Sequence, residues 1–132
     1  MSIDAINRAI DLFPELTDFG FGTFDERRLS PKERAEKFLK NRELMYTARS
    51  IEQFQKACDW LNRQPRTKRI NPEAGTSYGL KHVAAHSAGY VTNGMFIAAA
   101  IACGFEVQRA YDGPNAWFNI SKRARKNAEL HS

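Results

Sequence analysis

Two histidines and a tyrosine share one side of a predicted helix in the second half of the chain. His82 and His86 stand four residues apart, a spacing that lets two imidazoles bind one metal ion, and Tyr78 precedes His82 by four residues. A metalloprotease helix carries glutamate directly after its first histidine, but Val83 stands there. We therefore predict no metal or other cofactor. The group of Tyr78, His82 and His86 remains a possible polar site, and a metal-dependent enzyme using the two histidines is the third functional hypothesis.

The positive charge of the chain is concentrated in two short segments. The net charge is +5, and residues 1–64 hold eleven basic and eleven acidic side chains, whereas residues 65–132 hold nine basic and four acidic ones. Most of the excess falls in the segments RQPRTKRINP and SKRARK, which lie before and after the most apolar part of the chain. Such clusters, with a sequence pI near 9.4, favour binding to phosphate groups.

The main functional hypothesis is therefore a non-enzymatic protein that binds nucleic acid, DNA in the first instance, mostly through the phosphate backbone. Trp117 is included because an indole can stack on a base. The predicted nucleic-acid-binding residues are Arg66, Lys68, Arg69, Lys81, Arg109, Trp117, Lys122, Arg123, Arg125 and Lys126. Contacts of this kind predict affinity for phosphate with little sequence discrimination.

The elements that must position these residues begin with three predicted helices. An apolar period of 3.6 residues predicts a helix over residues 2–13, ended by Pro14. The run Ser30-Pro31-Lys32-Glu33 has the pattern of a capping box and predicts a helix to about residue 42. Ser50 with Gln53 repeats that pattern and predicts a third helix to about residue 63.

The second half predicts two helices across a tight turn, followed by a hairpin. Thr76 or Ser77 caps the first helix, which Gly89 ends, and the second helix begins near residue 93 and ends at Gly104. The segments FEVQRA and AWFNIS flank YDGPN, a typical turn sequence. Alternation places one set of side chains toward the core (Phe105, Val107, Phe118, Ile120) and the other outward (Glu106, Gln108, Trp117, Asn119).

The order helix, turn, helix, hairpin is that of a winged helix, whose second helix normally reads the major groove of DNA. Here residues 93–105 read NGMFIAAAIACGF, without one charged side chain. A recognition helix needs Arg, Lys, Asn or Gln to meet base edges, and a helix apolar all round is normally buried. We therefore predict that this helix is a buried pillar.

The length of 132 residues favours one α+β domain, mainly helical, with a C-terminal β-hairpin in winged-helix-like order. We divide it into a helical half (1–64), a basic connector (65–75), the helix-turn-helix plus hairpin (76–121) and a basic tail (122–132). No apolar run is long enough to span a bilayer, and the N-terminus is unlike a signal peptide, so a cytoplasmic protein that does not contact membranes is expected. Cys58 and Cys103 lack metal-site spacing and are expected to be buried, reduced thiols.

A second functional hypothesis remains, from a different class. The segment TDFGFGTFD carries three phenylalanines between glycines, and a small interaction module or inhibitor would use Phe19, Phe21 and Phe24 to dock on another protein. Salt dependence separates the two main hypotheses, since phosphate binding weakens steeply as salt rises and an aromatic contact does not.

Overall fold

The helix over residues 93–102 is the central element of the structure. The computed structural model describes residues 2–23 and 28–125. Its helices are α1 (Ser2–Leu12), α2 (Pro31–Glu43), α3 (Ala48–Asn62), α4 (Ser77–Ala88) and α5 (Asn93–Ala102), with 3-10 turns at Leu44–Tyr46 and Pro72–Ala74. Two antiparallel strand pairs join β1 (Leu16–Thr17) to β2 (Gly20–Phe21) and β3 (Val107–Arg109) to β4 (Ala116–Phe118). The described chain is therefore α+β.

Helix α5 is enclosed by α1, α3 and α4, and the prediction of a buried pillar is confirmed. Residues 93–100 are all buried. The Thr92 side chain caps the helix by accepting a hydrogen bond from the Met95 amide. At the same end a Cβ on Gly94 would overlap the Thr17 carbonyl oxygen, so only glycine lets α5 approach the β1–β2 turn this closely. Only the last turn of α5 reaches the surface, with Ile101 half-buried and Ala102 exposed. The helix that would be the recognition helix of a winged helix therefore offers no polar side chain to a groove.

The first half of the chain packs around this pillar, and one predicted helix start is corrected. Ser30 and Glu33 form the predicted capping box at the start of α2. For α3, however, the cap is Thr47 and not Ser50, because Thr47 has the extended backbone of a cap and its side chain accepts from the Ser50 amide. Gln53 does not complete a capping box, since its side-chain oxygen accepts from the Thr92 amide beside α5.

The predicted aromatic docking loop is only partly available at the surface. Its segment forms the small β1–β2 pair, which the sequence pattern did not predict. Phe21 is 2% exposed and belongs to the core, where its ring lies 5.5 Å from that of Phe13. Phe19 is partly exposed, and Phe24 lies outside the described residues. Phe21 therefore cannot anchor a partner, because its side chain already fills the core.

The second half has the predicted order of elements. Helix α4 ends at Gly89, whose φ of 83° provides the tight turn into α5. In the hairpin Gln108 faces Trp117 across the two strands. Phe105, Phe118 and Ile120 are buried as predicted. No helix within residues 2–23 and 28–125 has the length and hydropathy needed to cross a bilayer.

Candidate nucleic-acid interface

The connector between α3 and α4 is hydrogen-bonded along the end of the hairpin. Thr67 donates its amide to the Asn119 carbonyl at 2.9 Å, and the Ser121 amide donates to the Pro65 carbonyl at 2.9 Å. Arg66 thereby faces Ile120 in an antiparallel bridge. These hydrogen bonds hold the connector against the end of the β3–β4 hairpin and bring it to the segment that follows β4.

Asn119 holds this arrangement together, and its predicted outward orientation was wrong. The side chain is 8% exposed. Its amide nitrogen donates to the Thr67 carbonyl at 3.1 Å, and its oxygen accepts from the Glu106 amide at 2.7 Å. An asparagine whose donor and acceptor both find backbone partners can be buried without losing hydrogen bonds. The alternation of the hairpin therefore breaks at this residue.

Two basic segments lie side by side as a result. Lys122 forms an ion pair of 3.3 Å with Glu73 near the end of the connector, and the Arg125 guanidinium lies against Gly75. Apart from Arg66, which contacts other parts of the protein, the exposed cations of the connector and of the described tail residues form what we call the basic surface: Lys68, Arg69, Lys122, Arg123 and Arg125. The ion pair joins two exposed side chains, so it is worth at most about 1 kcal/mol and leaves Lys122 open to exchange partners. Lys126 lies outside the described residues.

Arg66 and Arg109 were predicted to bind nucleic acid, but both are engaged within the protein. The Arg66 guanidinium lies 4.0 Å from the centre of the Phe105 ring and donates to the Cys103 carbonyl at 2.6 Å. Arg109 donates to the carbonyls of Gly113 and Asp112 at 2.7 and 3.1 Å, across the turn of its own hairpin. The structure therefore gives each of these arginines an internal contact that binding to phosphate would compete with.

Trp117 stands on the outer face of the hairpin beside a tyrosine that the sequence analysis missed. The rings of Tyr111 and Trp117 are 5.0 Å apart in an edge-to-face arrangement. Tyr111 is 82% exposed and has a φ of 55°, a left-handed conformation that is uncommon for a bulky residue. The sequence feature that could have indicated Tyr111 is its position in the turn sequence YDGPN, since residues at the tip of a hairpin are usually accessible to solvent.

The remaining predicted residues lie on α4. His82 and His86 are exposed, and the His82 ring is 4.7 Å from that of Tyr78. Within the described ranges, no group of three histidine, cysteine, aspartate or glutamate side chains is placed to hold a metal ion. Lys81 is 7% exposed and does not belong to the basic surface.

Lys81 instead lines a cavity of about 440 Å³ between the α4–α5 turn, the β1–β2 turn and the hairpin turn. Burial lowers the pKa of the Lys81 ammonium and raises the pKa of the Asp18 carboxyl in the same cavity, in the second case against a hydrogen bond from Thr92 that lowers it. The cavity is lined by Asp18, Phe19, Asn41, Tyr78, Lys81, Tyr90, Thr92, Asn93, Pro114 and Asn115.

Comparison of the chain with models of protein families, with curated proteins and with solved structures found no match.

Proposed function

We propose that this protein binds nucleic acid, DNA in the first instance, mainly through the phosphate backbone and with little sequence discrimination. The observation that carries the proposal is the pairing of the connector with the end of the hairpin, which gathers Lys68 and Arg69 with Lys122, Arg123 and Arg125. Five exposed cations on adjacent segments form the kind of concentrated positive charge that attracts the phosphate backbone.

The winged-helix-like order of elements supports the proposal in a restricted form. A buried α5 offers no side chain to base edges, so the usual major-groove contact of such proteins is not expected here. The hairpin is the accessible element, and its outer face carries Trp117 and Tyr111. Tyr111 is exposed and Trp117 is partly exposed. Proteins that bind single strands without strong sequence preference combine accessible aromatic rings of this kind with positive charge.

Salt dependence gives this proposal a measurable size. If all five cations of the basic surface contact phosphates of duplex DNA, the slope of log affinity against log salt is about −4.5. Affinity then falls roughly 500-fold between about 50 and 200 mM salt. If fewer of the five cations contact phosphates, the slope is proportionally smaller. The measured slope therefore gives the approximate number of phosphate contacts.

The test is a fluorescence-anisotropy titration of duplex DNA, single-stranded DNA and RNA at several salt concentrations. Three double variants accompany the parent protein. Lys68→Gln with Arg69→Gln neutralises the connector, and Lys122→Gln with Arg123→Gln neutralises the segment after the hairpin. Lys32→Gln with Lys40→Gln on α2 is the control, since it removes the same charge from exposed positions elsewhere.

Each of the first two double variants is expected to lower the affinity and to reduce the steepness of the salt slope by about two units. The α2 control should keep the parent slope. An equal loss of affinity in all three variants would mean that binding depends on the net charge of the protein and not on the basic surface. If the parent binds none of the three nucleic acids at low salt, the proposal is rejected.

A further inference from the structure

Lys81 is 7% exposed, lines this cavity and has no anionic partner among the residues that the structure describes. Its Nζ lies 5.0 Å from the centre of the Tyr90 ring and 5.4 Å from that of Tyr78. Across residues 2–23 and 28–125, no carboxylate pairs with it and no hydrogen bond holds it. Two ring faces compensate only part of the desolvation of an ammonium group, so the site favours an anion that enters the cavity.

Asn93 provides a second unsatisfied group in the same cavity. Its side chain is 8% exposed, and its amide nitrogen is directed at three acceptors, the carbonyls of Phe19 and Pro114 and the side-chain oxygen of Asn115. Its own side-chain oxygen is buried and accepts no hydrogen bond from any described residue. A buried acceptor without a donor costs free energy, which a ligand carrying an N–H group would recover.

Asp18 adds a negative group to the cavity, close to the start of α5. One of its carboxylate oxygens accepts from the Thr92 hydroxyl at 2.8 Å. Asp18 and Lys81 line the same cavity but form no ion pair with each other in the described part of the chain. The cavity therefore presents one positive and one negative group that do not pair with each other, and Asn93, whose side-chain oxygen is buried, is part of its lining.

We propose that this cavity binds a small α-amino acid, with the ligand carboxylate at Lys81 and the ligand ammonium at Asn93 and Asp18. Such a ligand supplies the anion that Lys81 lacks and the donor that the Asn93 oxygen lacks. The volume of about 440 Å³ lies within the range of small-molecule sites, and the rings of Tyr78 and Tyr90 form a wall for the ligand side chain. The proposal is independent of nucleic-acid binding, because the basic surface contains neither Lys81 nor Asp18.

Other small anions fit these groups less well. A phosphate monoester would bring up to two negative charges into a cavity that already contains the Asp18 carboxyl. A hydroxy acid offers a donor to Asn93 but no cation to Asp18. A free α-amino acid is the smallest common ligand that carries an ammonium and a carboxylate group on one carbon atom.

The first experiment measures the melting temperature of the full chain with each of the twenty natural L-amino acids at millimolar concentration. At least one is expected to raise the melting temperature of the parent, because a ligand that binds only the folded state stabilises it. Lys81→Met should abolish that shift. Replacing a desolvated charge by an apolar side chain of similar length should not prevent folding.

Lys56→Met is the matched control, since Lys56 is exposed and pairs with Glu52 on α3. It should retain the full shift. If none of the twenty amino acids raises the melting temperature, or if the shift survives Lys81→Met, the proposal is rejected. If Lys81→Met fails to fold, NMR of the parent protein provides the test. The chemical shifts of the Asn93 and Asn115 side-chain amides must change when the amino acid is titrated into the protein.

The second experiment removes one charge of the ligand at a time. The carboxamide and the N-acetyl derivative of the same amino acid are each expected to bind at least roughly tenfold more weakly than the parent ligand, as is usual when one charged hydrogen-bonding partner is lost. Asp18→Asn should weaken the amino acid but not its N-acetyl derivative. Equal binding of the carboxamide would exclude Lys81 as the carboxylate partner, and an unchanged affinity in Asp18→Asn would exclude the assigned ammonium position.

Discussion

Lysine occurs in two opposite environments in this molecule. On the basic surface Lys68 and Lys122 are exposed, and water and salt screen their charges, so each would contribute to the proposed phosphate binding only as one member of a group. In the cavity Lys81 is almost fully buried, so water would screen its interaction with a bound anion less than at the protein surface. The comparison shows that the count of basic residues predicts affinity for a polyanion, whereas burial of a single cation predicts a defined small-molecule site.

The largest expected effect comes from a lysine introduced at a fully buried position of α5. Ala99 on α5 is fully buried, so Ala99→Lys should destabilise the fold by more than about 4 kcal/mol or prevent folding. Ala102→Lys on the same helix is the control, because Ala102 is exposed. Urea denaturation followed by circular dichroism measures both. A stable Ala99→Lys protein would mean that α5 is more accessible than its burial indicates. Direct contact between α5 and the bases of DNA would then have to be considered again.

The next effect separates base stacking from phosphate binding on the hairpin side of the basic surface. Trp117→Ala should weaken binding to single-stranded DNA by about 1–3 kcal/mol and leave the salt slope nearly unchanged, because stacking involves no release of counterions. Trp117→Phe keeps a ring and should recover part of the loss. Anisotropy titrations at several salt concentrations measure both quantities. A loss that appears as a change of slope would contradict the assignment of Trp117 to stacking.

The charge state of the cavity is tested by pH. Burial raises the pKa of Asp18 above its ordinary value of 3.8, so the folded protein binds this proton more tightly than the unfolded chain does. The Asp18 contribution to stability is therefore present at low pH and is lost as pH rises from 3.8 through the raised value. Asp18→Asn should gain stability relative to the parent at neutral pH and not below pH 3.8. Urea denaturation at a series of pH values measures the difference; a gain that is independent of pH would contradict it.

The smallest effect concerns Arg66, a cation of the connector that is engaged internally. The interaction between the Cys58 and Cys103 thiols lowers the pKa of Cys103 and raises the pKa of Cys58, and the positive charge of Arg66 also lowers the pKa of Cys103. Iodoacetamide should therefore modify Cys103 before Cys58, as mass spectrometry of peptides can show. Arg66→Gln should slow the modification of Cys103, and it should change the salt slope of DNA binding less than Lys68→Gln does. Preferential modification of Cys58 would overturn the direction of both pKa shifts.

Local patterns were sufficient for most of the helices and the hairpin. The Ser30–Glu33 capping box and the Gly89 turn depend on residues within a few positions, and the structure has both. The pattern at Ser50 was misleading because Thr47, three residues earlier, provides an equivalent cap. Thr47 and Ser50 are both suitable N-cap residues by local sequence, and only the packing of the helix selects between them.

The sequence by itself determined that the segment 93–105 contains a mostly buried helix, since none of its thirteen residues is charged. It also determined that the excess of positive charge lies in two segments. Only the tertiary structure decided that these segments meet, through an Asn119 side chain bonded to a residue 52 positions away, and that Lys81 faces a cavity and not solvent. The physical reason is that helix caps and apolar periods act between near neighbours, whereas burial of a polar side chain depends on which distant segments supply its partners.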